Sequence, residues 1–88
     1  MIWRIRFEKS AAKDIAALSN RDRECVARFL HERLSPRDDP RELGDALSGP
    51  LAGLWKYRVG DYRIIARIDD GMVAILVIRI GHRGAVYR

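Results

Sequence analysis

The sequence has little cysteine, no long apolar run and no cluster of metal-binding side chains. Its single cysteine, Cys25, cannot form a disulfide within the chain, and its helical context favours a small core residue. The longest apolar run, Met72–Ile78, is far too short to span a bilayer. Met1–Phe7 alternates charged and apolar residues and lacks the apolar core of a signal peptide. These absences predict a cytoplasmic protein without a disulfide, membrane span, cofactor or metal centre.

The composition is that of one small globular domain with a basic surplus. The chain has 88 residues, of which 48% are hydrophobic and 33% charged, so we expect a single domain over residues 1–88. Lys and Arg number 17 against 12 Asp and Glu, which gives a net charge of +5. Such a surplus fits a polyanionic partner, because neutralised phosphates release counterions. It fits a solubilising surface equally well.

The first half of the chain predicts one strand followed by two helices. Ile2–Phe7 combines alternating polarity with β-favouring residues, which is typical of a strand. Ser10–Leu18 has apolar residues three to four apart and predicts a short amphipathic helix. Ser19 can cap a second helix that runs to about Arg33 and ends before Pro36. Because the turn between them is short, the two helices should form an antiparallel hairpin.

The second half predicts three strands after a polar connector. The connector has one helical turn near its centre, and a two-residue turn separates each strand from the next. The last strand is apolar without alternation, which predicts a central strand covered on both faces. We expect an α+β fold in which the helices cover one face of a twisted, mostly antiparallel four-stranded sheet (β-α-α-β-β-β). The segments are the connector 36–51 with its turn at 40–43, the strands 54–59, 62–69 and 72–80, and the turns Gly60-Asp61 and Asp70-Gly71.

Four cations are predicted to share the face of the sheet that the helices leave open. A two-residue turn at Gly60-Asp61 places Arg58 opposite Arg63, since side chains alternate across a strand. The same count puts Lys56 and Arg67 on that face. Opposed like charges destabilise a sheet unless an anion binds them or they extend into water. The pattern fits an anion site and a solvated basic surface about equally.

The end of the chain adds polar groups that can act on a phosphate. His82 can act as an acid or a base near neutral pH, Arg83 can bind a phosphate through two hydrogen bonds, and Tyr87 carries a polar aromatic tip. Alone, these would most often be surface residues. We expect the last strand to end near the four cations, which favours a functional role for them. The open face has no acidic pair, so phosphoryl chemistry there would depend on cations and an aromatic hydroxyl.

Two segments together resemble the RelE/ParE toxin superfamily. Residues 55–65 (WKYRVGDYRII) are similar to the family's strand, tight turn and "YR" strand. Residues 81–88 (GHRGAVYR) are similar to the "G-H-R-x-x-V-Y-R" ending that is frequent among RelE-type members. The order of predicted elements matches the family along the whole chain.

The resemblance implies a type II toxin that cuts messenger RNA in the ribosomal A site without a metal. In that reaction the 2′-hydroxyl attacks its own 3′ phosphate and leaves a 2′,3′-cyclic phosphate and a free 5′-hydroxyl. By resemblance, Lys56 helps to activate the 2′-hydroxyl, and Arg63 stabilises charge on the phosphate. Arg83 protonates the leaving oxygen, and Tyr87 stacks on the substrate. Arg58 occupies a position that is lysine in the best-known member.

His82 is an alternative acid or base, and Lys56, Arg67 and Tyr87 are expected to bind substrate. The implied partners are a cognate antitoxin, messenger RNA and the 16S rRNA of the A site. An alternative is a ParE-like inhibitor of DNA gyrase that catalyses nothing, and a third is a degraded toxin kept as a binding module. The combined cations of the open face and the chain end favour the nuclease.

Overall fold

The computed structural model describes residues 2–82, which form two helices and five strands joined by short helical turns. The second helix continues into a π-helical turn, and two 3-10 turns flank the second strand. The strands are β1 (Arg4–Phe7), β2 (Asp45–Ala46), β3 (Trp55–Val59), β4 (Tyr62–Asp69) and β5 (Ala74–His82). The helices are α1 (Lys9–Ala16) and α2 (Asn20–Arg28), the π-helical turn is Phe29–Leu34, and the 3-10 turns are Pro40–Leu43 and Gly49–Leu51.

The five strands form one sheet in the order β1-β5-β4-β3-β2. β1 runs parallel to β5, and the other neighbours are antiparallel. The predicted α+β architecture is therefore confirmed, with one strand more than expected. The extra strand, Asp45–Ala46, has two residues and lies in the predicted connector. A strand that short cannot leave an alternating pattern in the sequence.

The core lies between the helical layer and one face of the sheet. Val26, Leu30 and Leu34 have no exposed surface and follow one another at helical spacing along α2 and its π-helical turn. They pack against side chains of β3, β4 and β5, since every second residue along these strands faces the helices. The buried strand residues of this cluster are Tyr57, Val59, Ile64, Ala66, Ile75, Val77 and Ile80.

The helix junction is held by side chains of α2. Ser19 accepts a hydrogen bond from the backbone N–H of Asp22 at 3.2 Å, which confirms the predicted cap. The guanidinium of Arg23 donates to three carbonyls at and just after the C-terminal end of α1, and so helps to cap that helix end. These acceptors are the carbonyls of Ile15, Ala16 and Leu18.

Helix α1 binds the part of β5 that β1 does not reach. β1 ends at Phe7, opposite Val77, so the outer edge of β5 is open beyond that point. There the Ser10 hydroxyl donates to the carbonyl of Ile78 at 2.7 Å. Asp14 accepts from the backbone N–H of Ile80 and from Nε of Arg79, both at 2.9 Å. These contacts satisfy the edge and fix the last residues of β5 against the helical layer.

Two predictions about β5 are wrong. Ile65 pairs with Arg79 and Ala66 pairs with Val77, so Ile78 is an extra residue that forms a bulge. The strand is central, as predicted, because β1 and β4 pair with its two edges. The helices pack on one of its faces only, so the predicted cover on both faces is wrong. The strand begins at Ala74, and Met72 is 61% exposed in the preceding turn.

The connection from β4 to β5 also differs from the predicted two-residue turn at Asp70-Gly71. Asp69 pairs with Ala74, which leaves a four-residue loop between the strands. The Asp69 carboxylate accepts the backbone N–H of Met72 at 3.1 Å, and Val73 has a positive φ of 50°. Aspartate side chains stabilise such loops by replacing a backbone acceptor. The other turn, Gly60-Asp61, has the predicted two residues, with φ of 59° at Gly60.

Candidate functional site

Lys56, Arg58, Arg63 and Arg67 define what we call the basic face. The pairing of β3 with β4 places Arg58 opposite Arg63 and Lys56 opposite Ile65, which confirms the predicted register. Their neighbours in sequence, such as Tyr57 and Ile64, are buried under the helices. The basic face is therefore the side of the sheet opposite the helical layer.

Arg63 is the most enclosed cation of the basic face, with 9% of its surface exposed. Its Nη1 donates to the carbonyls of Gly60 at 3.2 Å and Tyr62 at 2.9 Å. Neutral carbonyls orient a guanidinium without cancelling its charge. Arg58, directly across the strand pair, is exposed. The turn thus holds one fixed positive charge beside a second one that solvent can reach.

Strand β1 adds two cations, Arg4 and Arg6, that were not predicted to lie on this face. Arg6 pairs with Leu76, and Leu76 also pairs with Arg67, so all three lie in one row on the open side of the sheet. Arg4 lies on the same side, one row further from the Gly60 turn. The alternation of arginine with Ile5 marks the outward side of this strand. Its place in the sheet depends on a parallel pairing with β5, which no local pattern reveals.

His82 lies at the same end of the sheet as Arg63 but on the other side. Gly81 pairs with Arg63, and His82 pairs with Tyr62. The His82 ring stacks on the Tyr62 ring, with centroids 4.5 Å apart and an interplanar angle of 31°. The last strand was predicted to end near the four cations. The backbone comes close, but the imidazole is not brought to the basic face.

A pocket of about 350 Å³ lies beside this ring pair, between α2 and the Gly60 turn. The Tyr62 hydroxyl donates to Oδ2 of Asp22 at 2.8 Å, and this hydrogen bond raises the pKa of the phenol above its usual value. Cys25 lines the same pocket and is exposed, so its prediction as a core residue is wrong. It lies one helical position away from the buried stripe that contains Val26.

Tyr57, which belongs to the predicted motif at residues 55–65, has a structural role. Its ring has no exposed surface, and its hydroxyl donates to the carbonyl of Pro40 at 2.8 Å. Burial raises the pKa of this phenol above its usual range, so it stays protonated. Tyr57 therefore anchors the connector to the core.

A cluster of three charges fastens the connector to the β4–β5 loop. Arg41 binds Asp39 through one guanidinium nitrogen at 3.3 Å and Asp70 through two. The hydrogen bonds from Arg41 lower the pKa of Asp70 below its usual value. Sequence reasoning missed this cluster because Arg41 and Asp70 are far apart along the chain.

Arg83 and Tyr87, both predicted site residues, lie outside the described residues. The catalytic and binding roles assigned to the cations stay predictions. Within residues 2–82 there is no group of three or more His, Cys, Asp or Glu side chains that could hold a metal ion. In the same part of the chain, no helix has the length and apolar character needed to cross a membrane.

The comparisons with known proteins identify the class of this chain. The profile of the family described as ParE toxin of type II toxin-antitoxin system, parDE, matches residues 5–87. The chain is 34% identical to Toxin RelG of Mycobacterium tuberculosis over 88 residues, which cover 100% of this chain and 99% of that protein. It is 33% identical to Toxin RelE of the same organism over 86 residues, covering 98% and 87% of the two chains.

Solved structures agree with this assignment. The toxin–antitoxin complex RelBE2 of M. tuberculosis contains a chain that superposes with a TM-score of 0.86 at 32% identity, covering 94% of this chain and 93% of that one. The intact E. coli RelBE complex matches with a TM-score of 0.71 at 26% identity, covering 91% and 95%. The chain belongs to the RelE/ParE superfamily, and it is a toxin of the type II toxin–antitoxin class.

Proposed function

We propose that this toxin is a ribosome-dependent, metal-independent endoribonuclease that cuts messenger RNA in the A site. The observation that supports this proposal most is the basic face, where Arg58 and Arg63 oppose each other on neighbouring strands. A surface that holds like charges together suits a ligand with closely spaced negative charges, such as an RNA backbone. Residues 1–88 would then form one toxin domain that acts in the cytoplasm.

The proposed reaction uses the RNA's own hydroxyl as nucleophile. The 2′-oxygen bonds to the adjacent phosphorus while the bond from phosphorus to the 5′-oxygen breaks. We assign Lys56 to activation of the 2′-hydroxyl and Arg83 to protonation of the leaving 5′-oxygen. The products are a 2′,3′-cyclic phosphate and a free 5′-hydroxyl, so no water is consumed in this step.

Arg63 is assigned to the charge that grows on the phosphate. Its guanidinium is fixed by the carbonyls of Gly60 and Tyr62 and needs little reorganisation when the charge develops. One well-placed donor of this kind contributes about 3–4 kcal/mol to lowering the barrier. Arg58 would add a second positive charge, Arg67 would bind the RNA backbone, and Tyr87 would stack on a base.

The proposed protein partner is an antitoxin that covers the basic face. The M. tuberculosis and E. coli relatives were solved as toxin–antitoxin complexes. A small acidic or neutral protein that orders on binding would neutralise the cations and block RNA. The proposed ribosomal contact is the 16S rRNA of the A site.

A second candidate is a gyrase inhibitor without catalytic activity. It is favoured by one observation, that the matching family profile is named for the ParE toxin. The RelG and RelE relatives, each at least 33% identical over nearly the whole chain, favour the nuclease. An inhibitor that binds a protein has no need of cations aligned across two strands.

Primer extension on a translated message tests the two candidates directly. Purified toxin is added with and without ribosomes, and a gyrase supercoiling assay runs in parallel. We expect codon-periodic cuts only when ribosomes are present, since positioning of the RNA supplies much of the rate. Equal cutting of naked RNA would indicate a general nuclease. Loss of supercoiling without RNA cleavage would select the gyrase inhibitor.

A further inference from the structure

Three side chains from three elements meet where β5 ends. Tyr62 is the first residue of β4 and His82 the last of β5, and the two pair in register. Their rings stack with centroids 4.5 Å apart. Asp22, in the first turn of α2, accepts the Tyr62 hydroxyl at 2.8 Å. The end of the strand is thus linked to the start of a helix through one aromatic ring.

The helical end of this link is itself fixed. The backbone N–H of Asp22 donates to the Ser19 hydroxyl that caps α2. In a capping box the acidic side chain at this position would reach back to the cap residue. Here the carboxylate turns to Tyr62 instead. The first turn of α2 therefore keeps its cap while its carboxylate holds a residue of the sheet.

The link acts on the part of β5 that has few other supports. β1 stops at Phe7, and within residues 2–82 the last hydrogen bond that joins α1 to the strand is the one from the backbone N–H of Ile80 to Asp14. Beyond that point His82 is held by its strand partner Tyr62. Strand ends fray unless they are tied down. Arg83 follows His82 directly in sequence, so whatever fixes the backbone of His82 also fixes where Arg83 begins.

The bulge explains why the His82 ring can take part. Side chains of β5 alternate, and Ile75 and Val77 face the helices. Without an extra residue the same alternation would send His82 to the basic face. The bulge at Ile78 shifts the alternation by one residue and turns Ile80 and His82 toward the helices. The imidazole is then available for stacking and lies on the opposite side of the sheet from Arg63.

We propose that Tyr62 and Asp22 are positioning residues, which clamp His82 and thereby fix the end of β5, whose last residue directly precedes the predicted catalytic Arg83 in sequence. This inference rests on the proposed nuclease function. His82 acts through its ring face and not as a proton donor or acceptor. Because misplacement of a reacting group by 1 Å can cost about 100-fold in rate, a loose clamp lowers the rate of the chemical step.

The deciding comparison is His82→Phe against His82→Ala. Phenylalanine keeps a ring for Tyr62 but cannot transfer a proton, whereas alanine loses both. Single-turnover cleavage on programmed ribosomes is measured together with ribosome affinity, as a function of pH. We expect His82→Ala to lose about 10- to 100-fold in rate with affinity unchanged. His82→Phe should cleave near the wild-type rate with the wild-type pH profile. A His82→Phe variant as slow as His82→Ala would overturn the proposal and make His82 an acid or base.

A second set of matched variants tests the hydrogen bond between the Tyr62 hydroxyl and Asp22. Tyr62→Phe and Asp22→Ala each remove the hydrogen bond, and we expect them to slow cleavage by similar factors. Asp22→Asn keeps an oxygen that can accept from Tyr62 and should restore the rate. Cys25→Ala, in the same pocket but outside the link, is the control and should cleave like the wild type. If Tyr62→Phe and Asp22→Ala cleave as fast as Asp22→Asn and Cys25→Ala, the clamp is overturned.

The clamp can also be tested by NMR, without measuring cleavage. The Tyr62 ring should shift the His82 ring protons in the NMR spectrum, and Tyr62→Leu should abolish that shift and increase backbone mobility at Gly81 and His82. If wild-type toxin cuts no RNA on ribosomes, the proposed function fails while this measurement still tests the clamp. Unchanged shifts and mobility in Tyr62→Leu would overturn it. Circular dichroism of each variant confirms that the fold is intact.

Discussion

Along β3 and β4, successive residues face opposite sides of the sheet, one covered by the helices and the other open. Tyr57 and Ile64 have no exposed surface and face the helices. Arg58 and Arg63 alternate with them and oppose each other on the far side. The same backbone hydrogen bonds therefore support an apolar face that stabilises the fold and a cationic face that opposes it. Removing a side chain should have opposite consequences on the two faces.

The packing on the helix side explains how the basic face can be preorganised. Opposed like charges would separate if only their own interactions held them. Here the pairing of β3 with β4 and the packing beneath it fix their backbones, and turn carbonyls orient Arg63. Preorganised charge is effective because little reorganisation is needed when the substrate's charge develops. The helical layer thus contributes to function by holding the strands that carry the cations.

The largest effect on stability should come from the helix side. Leu30 has no exposed surface and lies at the centre of the helical stripe. Leu30→Ala removes apolar contacts and leaves a cavity, which we expect to cost about 2–5 kcal/mol of unfolding free energy. Urea unfolding followed by circular dichroism measures this. Met72→Ala, at a residue 61% exposed, is the control and should unfold like the wild type. Similar losses for both variants would show that the apolar face is not the main source of stability.

On the basic face the largest effect should be on chemistry. Arg63→Ala and Arg83→Ala are each expected to slow single-turnover cleavage by about 100- to 1,000-fold, because each removes charge stabilisation made in the transition state. Affinity for ribosomes and antitoxin should stay nearly unchanged. Arg67→Ala, on the same face but outside the motif, should instead weaken ribosome binding modestly and leave the bound rate intact. Near wild-type cleavage by Arg83→Ala would remove the proposed mechanism.

The register of the basic face could be predicted because it depends on local features. Gly60-Asp61 fixes a two-residue turn, and alternation then sets Arg58 opposite Arg63. The contribution of β1 could not be predicted, since its parallel pairing with β5 joins distant segments. The position of His82 depends on the bulge at Ile78, which shifts the alternation by one residue and has no sequence signature. The family resemblance supplied the roles of these residues, which geometry alone does not assign.

A smaller effect of opposite sign should appear when Arg58 is replaced. Arg58→Thr removes one of two directly opposed cations and introduces a residue that favours strands. We expect stability to be unchanged or raised by up to about 1 kcal/mol, while cleavage falls. Urea unfolding at low and high salt separates the causes, because relief of repulsion fades as salt screens the charges. A clear loss of stability at both salt concentrations would contradict the view that this pair opposes folding.

The smallest effect should come from the cluster that joins the connector to the β4–β5 loop, outside both faces. Arg41 lowers the pKa of the exposed Asp70 below its usual value of 3.8. A carboxyl whose pKa is lower in the folded state than in the unfolded state stabilises the fold at pH values above the unfolded pKa. That contribution is lost as the pH falls through the folded pKa. Asp70→Asn should therefore be slightly less stable than the wild type at pH 7, and the difference should vanish in acid below the lowered, folded-state pKa of Asp70.

A double-mutant cycle assigns this effect to the ion pair. Urea unfolding is compared for wild type, Asp70→Asn, Arg41→Met and the double variant, at neutral and acidic pH. If Arg41 is the cause, Asp70→Asn should cost nothing further in the Arg41→Met background, because the partner is already missing. Added salt should reduce the difference between wild type and Asp70→Asn, since the pair is exposed to solvent. An equal cost in both backgrounds would assign the effect to another contact of Asp70. Cleavage by ribosome-bound toxin should be unchanged in all four proteins, since neither Arg41 nor Asp70 belongs to the basic face.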